Sequence, residues 1–203
     1  MMNVVKYIYL LSIFFILNQS FLNAELKLPD STIVNWEILH DNKIWVGWKN
    51  DGKINWCRTK GAIDAPISEV QTLIENKKDY PKIFKRIKNT EIITDKIVYI
   101  ALDMPFPFSD RDYVVKYINK KEGSDLLYGY HAVLHDKVPL YDGYVRLINA
   151  RGEWRLKTLE ANKTEITYTW NGELRGDFPD WALSRAWKQQ GMEVIDWLKD
   201  ALE

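Results

Sequence analysis

The chain has 203 residues with 28 basic and 28 acidic side chains, so its formal net charge is zero at pH 7. This balance excludes the strong excess of positive charge that is typical of nucleic-acid-binding proteins. Hydrophobic residues at 46% and charged residues at 28% predict a folded globular protein rather than a disordered chain. Because Cys57 is the single cysteine, an internal disulfide framework and a cysteine-rich zinc site are excluded.

Residues 1–24 have the pattern of a cleavable secretory signal. Lys6 precedes an apolar run over residues 7–17, three polar residues follow, and Ala24 is the small residue expected before a cleavage site. The apolar run is shorter than the roughly 20 residues that a membrane span needs. An uncleaved anchor or a buried N-terminal helix is the alternative. We expect residues 25–203 to be exported, to the periplasm in a bacterium and otherwise by secretion.

The first elements after this signal are a predicted helix and a predicted hairpin. Ser31 is a candidate helix cap, and the apolar residues after it recur at helical spacing, which predicts a short helix over residues 31–40. Asn50-Asp51-Gly52 is a strong turn signal, so residues 43–49 and 53–58 are predicted to form a β-hairpin.

The rest of the chain alternates strands with turns between two helices. Asp64 and Pro66 begin the first of these helices, and its apolar residues recur at helical spacing up to Ile74. Short turns between successive strands predict an antiparallel sheet. The predicted strands are residues 90–93, 97–102, 113–118, 126–134, 144–148, 154–159 and 164–170. Residues 179–202 form a long amphipathic helix. This order predicts an α+β fold in which a curved antiparallel β-sheet wraps around a long C-terminal α-helix.

Three segments resemble the START family of lipid-transfer domains. Residues 104–114, MPFPFSDRDYV, resemble the signature P-W/F-P-x-S-x-R-D-F/Y-V of that family. Residues 145–168 are similar to its V-R…G-x-W…T-x-V-T-Y hairpin, and residues 176–181, GDFPDW, resemble its G-x-x-P-x-W approach to the last helix. The order and spacing of the three segments agree with the family.

The resemblance implies a helix-grip fold, in which a strongly bent sheet clasps the C-terminal helix around a lipid-sized cavity. It implies a single START-like domain over residues 25–203 that binds a lipid or other hydrophobic ligand, and could transfer it, without a cofactor. The natural gate is the helix near residues 176–181 or the loop at residues 103–109. We expect a monomer. The wider superfamily also includes polyketide cyclases, so an enzyme of the cyclase or aromatase type is the alternative, and an interaction module with a plain packed core is a third.

Several predicted strands have one face that is apolar with a few polar groups. Side chains alternate between the two faces of a strand, and this composition is typical of a small-molecule pocket. A packed core with hydrogen-bonded tyrosines has the same composition, but with the family resemblance we favour a cavity. The residues expected to line it are Tyr99, Ala101, Arg111, Tyr113, Val115, Tyr117, Trp154, Tyr168, Trp170, Trp187 and Val194.

Arg111 allows two interpretations. A buried arginine needs a charged or hydrogen-bonding partner because an unpaired charge is costly to bury. Arg111 can therefore contact a polar or anionic head group, or the Asp110-Arg111-Asp112 cluster can fix the loop after Pro107 through ion pairs. We favour the second interpretation.

The sequence indicates neither a catalytic nor a metal site. His131 and His135 lie four residues apart on a predicted strand, about 13 Å, too far to share a metal ion. Acid–base catalysis needs two groups in one pocket with separated pKa values. The carboxylates that could supply such a pair are Asp103, Asp110, Glu173 and Asp177. Cys57 is expected to be a small buried hydrophobe. We expect a carrier rather than an enzyme.

The tryptophans of the predicted hairpin raise the question of membrane contact. Trp45, Trp48 and Trp56 can pack inside the hairpin or contact a membrane transiently, since tryptophan favours the interface between water and acyl chains. The neutral net charge argues against docking that is driven by anionic lipid alone.

Overall fold

A computed structural model describes residues 28–29, 35–50, 54–171, 174–176 and 178–203. In this part of the chain ten strands form one sheet, accompanied by three α-helices and two short 3₁₀-helices. The strands are β1 (Glu37–Asp41), β2 (Ile44–Asn50), β3 (Asn55–Ile63), β4 (Ile87–Ile92), β5 (Ile97–Leu102), β6 (Asp110–Glu122), β7 (Asp125–Ala132), β8 (Tyr144–Arg146), β9 (Arg151–Glu160) and β10 (Lys163–Asn171). The helices are α1 (Ile67–Glu75), α2 (Tyr80–Ile83) and α3 (Leu183–Asp200), with 3₁₀-helices at Lys77–Asp79 and Asp180–Ala182.

The sheet is built from antiparallel neighbours in the order β1-β2-β3-β10-β9-β7-β6-β5-β4. The short strand β8 lies outside this order and pairs in parallel with the beginning of β6. Helix α3 packs on β1, β2 and β3, while an ion pair joins it to the turn before β4 at the other edge. The sheet therefore wraps around α3, and the predicted α+β helix-grip architecture is confirmed.

Helix α3 lies unusually close to β2 and β3. A Cβ atom added at Gly191 of α3 would lie 2.9 Å from Val46 Cγ1, and one added at Gly61 of β3 would lie 2.8 Å from Ile195 Cγ2. The Thr59 hydroxyl donates a hydrogen bond of 2.9 Å to the carbonyl oxygen of Gly191. These contacts fix the helix against one half of the sheet, so any free space between helix and sheet must lie over the other half.

The two faces of the sheet have different coverings. Along β6 the side chains from Arg111 to Tyr117 alternate in direction, and those that point inward join the main core beneath the helices. The outer face of β5 and β6 carries a second apolar cluster, in which Tyr99, Ala101 and Val114 are covered by Val138 from the loop after β7. Both faces of β5 are therefore buried.

The predicted hairpin is confirmed by the antiparallel pairing of β2 with β3, and its turn lies outside the described residues. The predicted helix over residues 31–40 is wrong for its second half, because Glu37–Asp41 pairs with β2 as an edge strand; residues 31–34 are outside the described part. The predicted signal at residues 1–24 also lies outside the described residues. Among the described residues, no helix has the length and apolar character needed to cross a membrane.

Candidate functional site

A cavity of about 80 Å³ lies between the inner face of the sheet and α3. Six strands, the region around α2 and one side of α3 contribute to its wall. The lining residues are Tyr80, Phe84, Arg86, Ile87, Ile100, Leu102, Tyr113, Tyr117, Tyr130, Trp154, Tyr168, Gln190, Val194 and Trp197. The wall is thus mainly aromatic and aliphatic, with phenol hydroxyls as its most frequent polar groups.

The more exposed lining residues mark the mouth of the cavity. Arg86, Ile87 and Leu102 are partly exposed at the β4–β5 end, and Gln190 is partly exposed on the facing side of α3. Pockets for drug-sized ligands have volumes of roughly 300–1,000 Å³. A cavity of about 80 Å³ is smaller, so a complete lipid can be enclosed only if the helix or an adjoining loop moves outward.

A stack of aromatic rings forms the floor of the site on the inner face of the sheet. The rings of Trp154 and Tyr168 are directly opposite each other on β9 and β10, with centroids 3.9 Å apart. Trp170 continues the stack at 4.7 Å from Tyr168, and Phe84 adds a ring 5.9 Å from Trp154. Stacked aromatic pairs contribute about 0.5–1.5 kcal/mol beyond their buried area, so this floor is a stiff part of the cavity.

Two tyrosines meet at the floor because a glycine leaves room for one of them. The Oη atoms of Tyr130 and Tyr168 are 2.6 Å apart, and either one can donate the hydrogen bond. Tyr130 leans across Gly152, where an added Cβ atom would lie 2.5 Å from the Tyr130 Oη. Since one hydroxyl donates to the other, the accepting hydroxyl still has its own O–H group, which can donate a hydrogen bond to a ligand oxygen in the cavity.

Burial keeps the phenols of the wall protonated. It raises the pKa of Tyr130 to about 12, although the hydrogen bond with Tyr168 lowers it in part. Burial also raises the pKa of Tyr80, Tyr113, Tyr117 and Tyr168 well above the ordinary tyrosine value. These groups can donate hydrogen bonds at neutral pH, but they cannot accept a proton as general bases without first losing their own.

The structure places eight of the eleven residues expected from the sequence to line a cavity at the cavity or in the core beside it. Tyr113, Tyr117, Trp154, Tyr168 and Val194 line the cavity described above. Val115, Trp170 and Trp187 are buried in the adjoining core. Contact of these side chains with a ligand stays a prediction.

Tyr99 and Ala101 require a correction. The sequence predicts that both side chains line the cavity, but they lie in the outer cluster under Val138. Their neighbours Ile100 and Leu102 point into the cavity instead. The assignment was wrong because β5 is apolar on both faces, and alternation of polarity cannot orient such a strand.

Arg111 is fully buried away from the cavity lining and binds backbone carbonyl groups. Its guanidinium donates 2.8 Å hydrogen bonds to the carbonyl oxygens of Leu174 and Arg175, and it also donates to the carbonyl oxygen of Ser109. It thereby joins the loop before β6 to the segment before α3. Arg175 has a φ of 46°, which is unfavourable for a side chain with a Cβ atom, and the bond from Arg111 helps to hold it there.

The acidic neighbours of Arg111 have structural partners of their own. Asp110 pairs with Lys88 at 2.9 Å. On the outer face Asp112 accepts two hydrogen bonds from Arg146, at 2.7 and 2.8 Å. The favoured interpretation of this cluster as a scaffold agrees with these contacts, in which Arg111 binds carbonyl groups and its two acidic neighbours form ion pairs.

Among the other candidate groups, the described ones are not part of the cavity lining. Asp103 is exposed at the end of β5, and Glu173 and Asp177 are outside the described residues. Cys57 is buried, and burial raises its pKa well above the ordinary cysteine value, so it is unsuited to act as a thiolate. Within the described ranges, no three His, Cys, Asp or Glu side chains are grouped so that they could hold a metal ion.

Several lining residues were missed by the sequence analysis. Tyr130 shares a face of β7 with Tyr128, so alternation along residues 126–134 could have identified it. Gln190 lies on the apolar side of α3, one turn from Trp187 and Val194. Arg86 follows a short helix in a turn, where no periodic pattern exists. Its assignment to the site needed the folded structure.

The family of the chain follows from comparison with known protein families. Residues 16–203 match the START domain. The chain belongs to the START domain family. Membership in this family of lipid-transfer domains implies binding of a hydrophobic ligand.

Solved structures and one curated relative resemble this START domain over most of its length. The STAR-related lipid transfer protein of Xanthomonas axonopodis (fragment 25–204) has a TM-score of 0.74 at 22% identity, covering 83% of this chain and 99% of that one. Human STARD10 has a TM-score of 0.76 at 16% identity, covering 89% and 82%. An uncharacterized protein of Pseudomonas aeruginosa is 22% identical over 176 residues, 83% of this chain and 87% of its own length. At these identities the solved structures support the fold.

Replacing Gly152 by alanine should disturb the floor of the cavity. The new methyl group would collide with the Tyr130 ring and separate Tyr130 from Tyr168. We expect the free energy of unfolding to fall by about 2 kcal/mol, measured by denaturant unfolding. Gly129→Ala on the neighbouring strand is the control, because its methyl group would meet only ordinary contacts. Equal effects of the two variants would contradict the described position of Tyr130.

Replacing Arg111 by methionine should release the segment before α3. Hydrogen bonds to a charged donor contribute about 1.5–3 kcal/mol each, so the loss of three of them should lower the free energy of unfolding by about 4–5 kcal/mol. Amide hydrogen exchange should accelerate over residues 103–109 and 174–182. Arg155→Met removes a partly exposed ion-paired arginine and should cost less than about 1 kcal/mol. Unchanged exchange in both segments would show that Arg111 does not join them.

Proposed function

We propose that this chain binds a lipid in the cavity beneath α3 and transfers it between membranes as an exported protein. The observation that carries the proposal is the cavity itself, an aromatic chamber between a bent sheet and the last helix of a START domain. The tyrosine hydroxyls supply the few polar groups that orient a ligand in an otherwise apolar pocket.

The energetics of such a carrier favour selection at the polar end of the lipid. A methylene group gains about 0.8 kcal/mol on leaving water, but in transfer from a bilayer to the cavity it leaves one apolar environment for another. The acyl chain therefore contributes little net affinity. Discrimination between lipids rests on hydrogen bonds and charge at the cavity wall and mouth, and the benefit of the carrier is kinetic, because it shields the chain from water.

Loading requires part of the structure to open, since the cavity is smaller than a lipid. We propose that the gate is formed by the loop over residues 103–109 together with the segment that leads into α3. The rings of Phe108 and Phe178 pack at 5.0 Å between these two segments, and Arg111 binds both of them at their base. They are therefore expected to move as one unit.

We also propose that residues 1–24 direct export, because their charge, apolar run and small residue follow the pattern of a cleavable signal. The protein would then work in the periplasm of a bacterium, or outside the cell otherwise. A mature mass that corresponds to cleavage after Ala24 would support this. The mass of the complete chain in protein recovered from the exported fraction would contradict it.

A cyclase or aromatase would need catalytic groups in the same cavity. Among the described lining residues there is no carboxylate, and the tyrosines have raised pKa values. These properties support a carrier. Turnover of a polyketide-like substrate with a pH-dependent rate would favour the enzyme instead.

Native mass spectrometry of the protein purified from cells tests the proposed carrier. We expect an additional mass that solvent extraction identifies as a lipid, on a monomer. Ile100→Phe and Val194→Phe enlarge buried side chains of the cavity wall, and each should reduce the bound fraction severalfold. Val70→Phe enlarges a fully buried core residue of α1 that does not line the cavity and controls for general damage. Each variant is first checked for cooperative unfolding.

Two results would contradict the carrier. One is a wild-type protein that neither retains lipid from cells nor takes it up from vesicles that contain bacterial phospholipids. The other is a bound fraction that remains the same in folded Ile100→Phe and Val194→Phe.

We propose that transient membrane contact occurs at the gate. Phe106 is 96% exposed and Trp181 is 82% exposed, one on each of the two gate segments. The tryptophans of the hairpin are less suitable, because Trp56 is buried and Trp45 packs edge-on against Trp36 at 6.3 Å. Aromatic side chains favour the membrane interface, so the gate would open where lipid is available.

Replacing both Phe106 and Trp181 by serine should weaken binding to vesicles by about a hundredfold and slow lipid transfer, because burial of each ring contributes on the order of 1.5–3 kcal/mol. Leu159→Ser is the control, since Leu159 is 44% exposed at the opposite end of the sheet. Vesicle sedimentation and transfer between labelled vesicles measure the effect. Equal transfer by both variants would contradict membrane contact at the gate.

A further inference from the structure

An ion pair at the mouth of the cavity joins α3 to the far edge of the sheet. The Arg86 Nε donates to Glu193 Oε2 at 2.7 Å, and the Arg86 Nη2 donates to Glu193 Oε1 at 3.0 Å. Gln189 donates a further hydrogen bond of 2.9 Å to Oε1. The backbone of Arg86 is held in turn, because its carbonyl oxygen accepts a 2.9 Å hydrogen bond from the Asp103 amide.

Arg86 is the one charged side chain among the described residues that line the cavity. The other lining groups are apolar or uncharged, and Gln190 and the tyrosines supply their hydrogen bonds. A ligand with a negatively charged end can therefore find a compensating charge in this wall only at Arg86. The position of Arg86 at the mouth suits a ligand whose tail extends inward over the aromatic floor.

The geometry of the pair is that of a guanidinium binding an oxyanion. Two parallel hydrogen bonds from an arginine match a carboxylate or a phosphate equally well, so the Glu193 carboxylate occupies the place that such a ligand group would take. Burial raises the pKa of Glu193. The hydrogen bonds from Arg86 and Gln189 lower this pKa by more than burial raises it, so the net shift is downward. Glu193 is thus an ionised competitor at neutral pH.

Exchange of one oxyanion for another is energetically accessible at this position. The Arg86 side chain is 41% exposed and that of Glu193 is 20% exposed. An ion pair that solvent reaches contributes less net free energy than a buried one, because water competes for both partners. An incoming oxyanion can therefore replace Glu193 without leaving an arginine buried and unpaired.

We propose that the cavity takes lipids with an oxyanionic end, a carboxylate or a phosphate, and that this group displaces Glu193 from Arg86. The inference rests on the proposed lipid binding and specifies its substrate class. Displacement also removes one of the ion pairs that join α3 to the turn before β4, while Lys85–Asp200 at 3.5 Å remains. Recognition of the head group therefore loosens the helix on the cavity side.

Equilibrium binding of three fluorescent lipids with the same acyl chain type tests this inference. They are a fatty acid, a phosphatidylglycerol and an uncharged diacylglycerol. Arg86→Gln should weaken binding of an oxyanionic lipid about tenfold relative to diacylglycerol, and Glu193→Gln should strengthen it severalfold by removing the competitor. Lys82→Gln is the matched control, because it removes the same charge from an 80% exposed residue of α2 that pairs with Asp79 of its own segment. The preferred oxyanion distinguishes a carboxylate head group from a phosphate.

The alternatives give different results. Three results show that the ion pair has only a structural role: Arg86→Gln weakens binding of all three lipids equally, Glu193→Gln strengthens binding of none of them, or the unchanged protein prefers diacylglycerol. The inference is then overturned while the proposed function stands. If the unchanged protein binds none of the three lipids, the proposed function is contradicted and the inference is overturned with it.

Discussion

The close contact of α3 with β2 and β3 determines where the rest of the site can be. Gly61 and Gly191 leave no space for an additional methyl group, and the Thr59 hydroxyl binds the helix backbone. With the helix fixed over β2 and β3, the free volume lies over the rest of the sheet, from β10 to β4. The contacts across that side include the solvent-accessible ion pairs Arg86–Glu193 and Lys85–Asp200. Tight apolar packing on one side and an exchangeable polar contact on the other give the helix a fixed side and a side that can move.

The anchoring of the loops complements this asymmetry. Arg111 is buried among backbone carbonyl groups of two segments that are more than 60 residues apart in the chain, and a buried guanidinium cannot leave such a site cheaply. The base of the gate is therefore rigid, while Phe106 and Trp181 at its tips are exposed. Motion is expected to be greatest at the tips of the gate, around Phe106 and Trp181, and smallest at its base, where Arg111 lies at the start of β6.

Local patterns in the sequence predicted the elements that depend on neighbours along the chain. The Asn50-Asp51-Gly52 turn predicted the β2–β3 hairpin, and helical spacing predicted α3. β1 was missed because its strand form depends on pairing with β2 at the edge of the sheet. β5 was oriented wrongly because the loop after β7 buries its outer face. The Arg86–Glu193 pair joins residues 107 positions apart, and no local periodicity encodes such a contact.

The aromatic floor gives the protein an optical signal of its own. The Trp154 indole is stacked on Tyr168 at 3.9 Å and borders the cavity, and Trp197 borders it from α3. The emission of an indole depends on the polarity beside it, and the near-ultraviolet circular dichroism of stacked rings depends on their mutual geometry. A ligand in the chamber alters the surroundings of Trp154, and displacement of the helix alters those of Trp197. Filling of the cavity and movement of its wall can therefore be followed in the unlabelled protein.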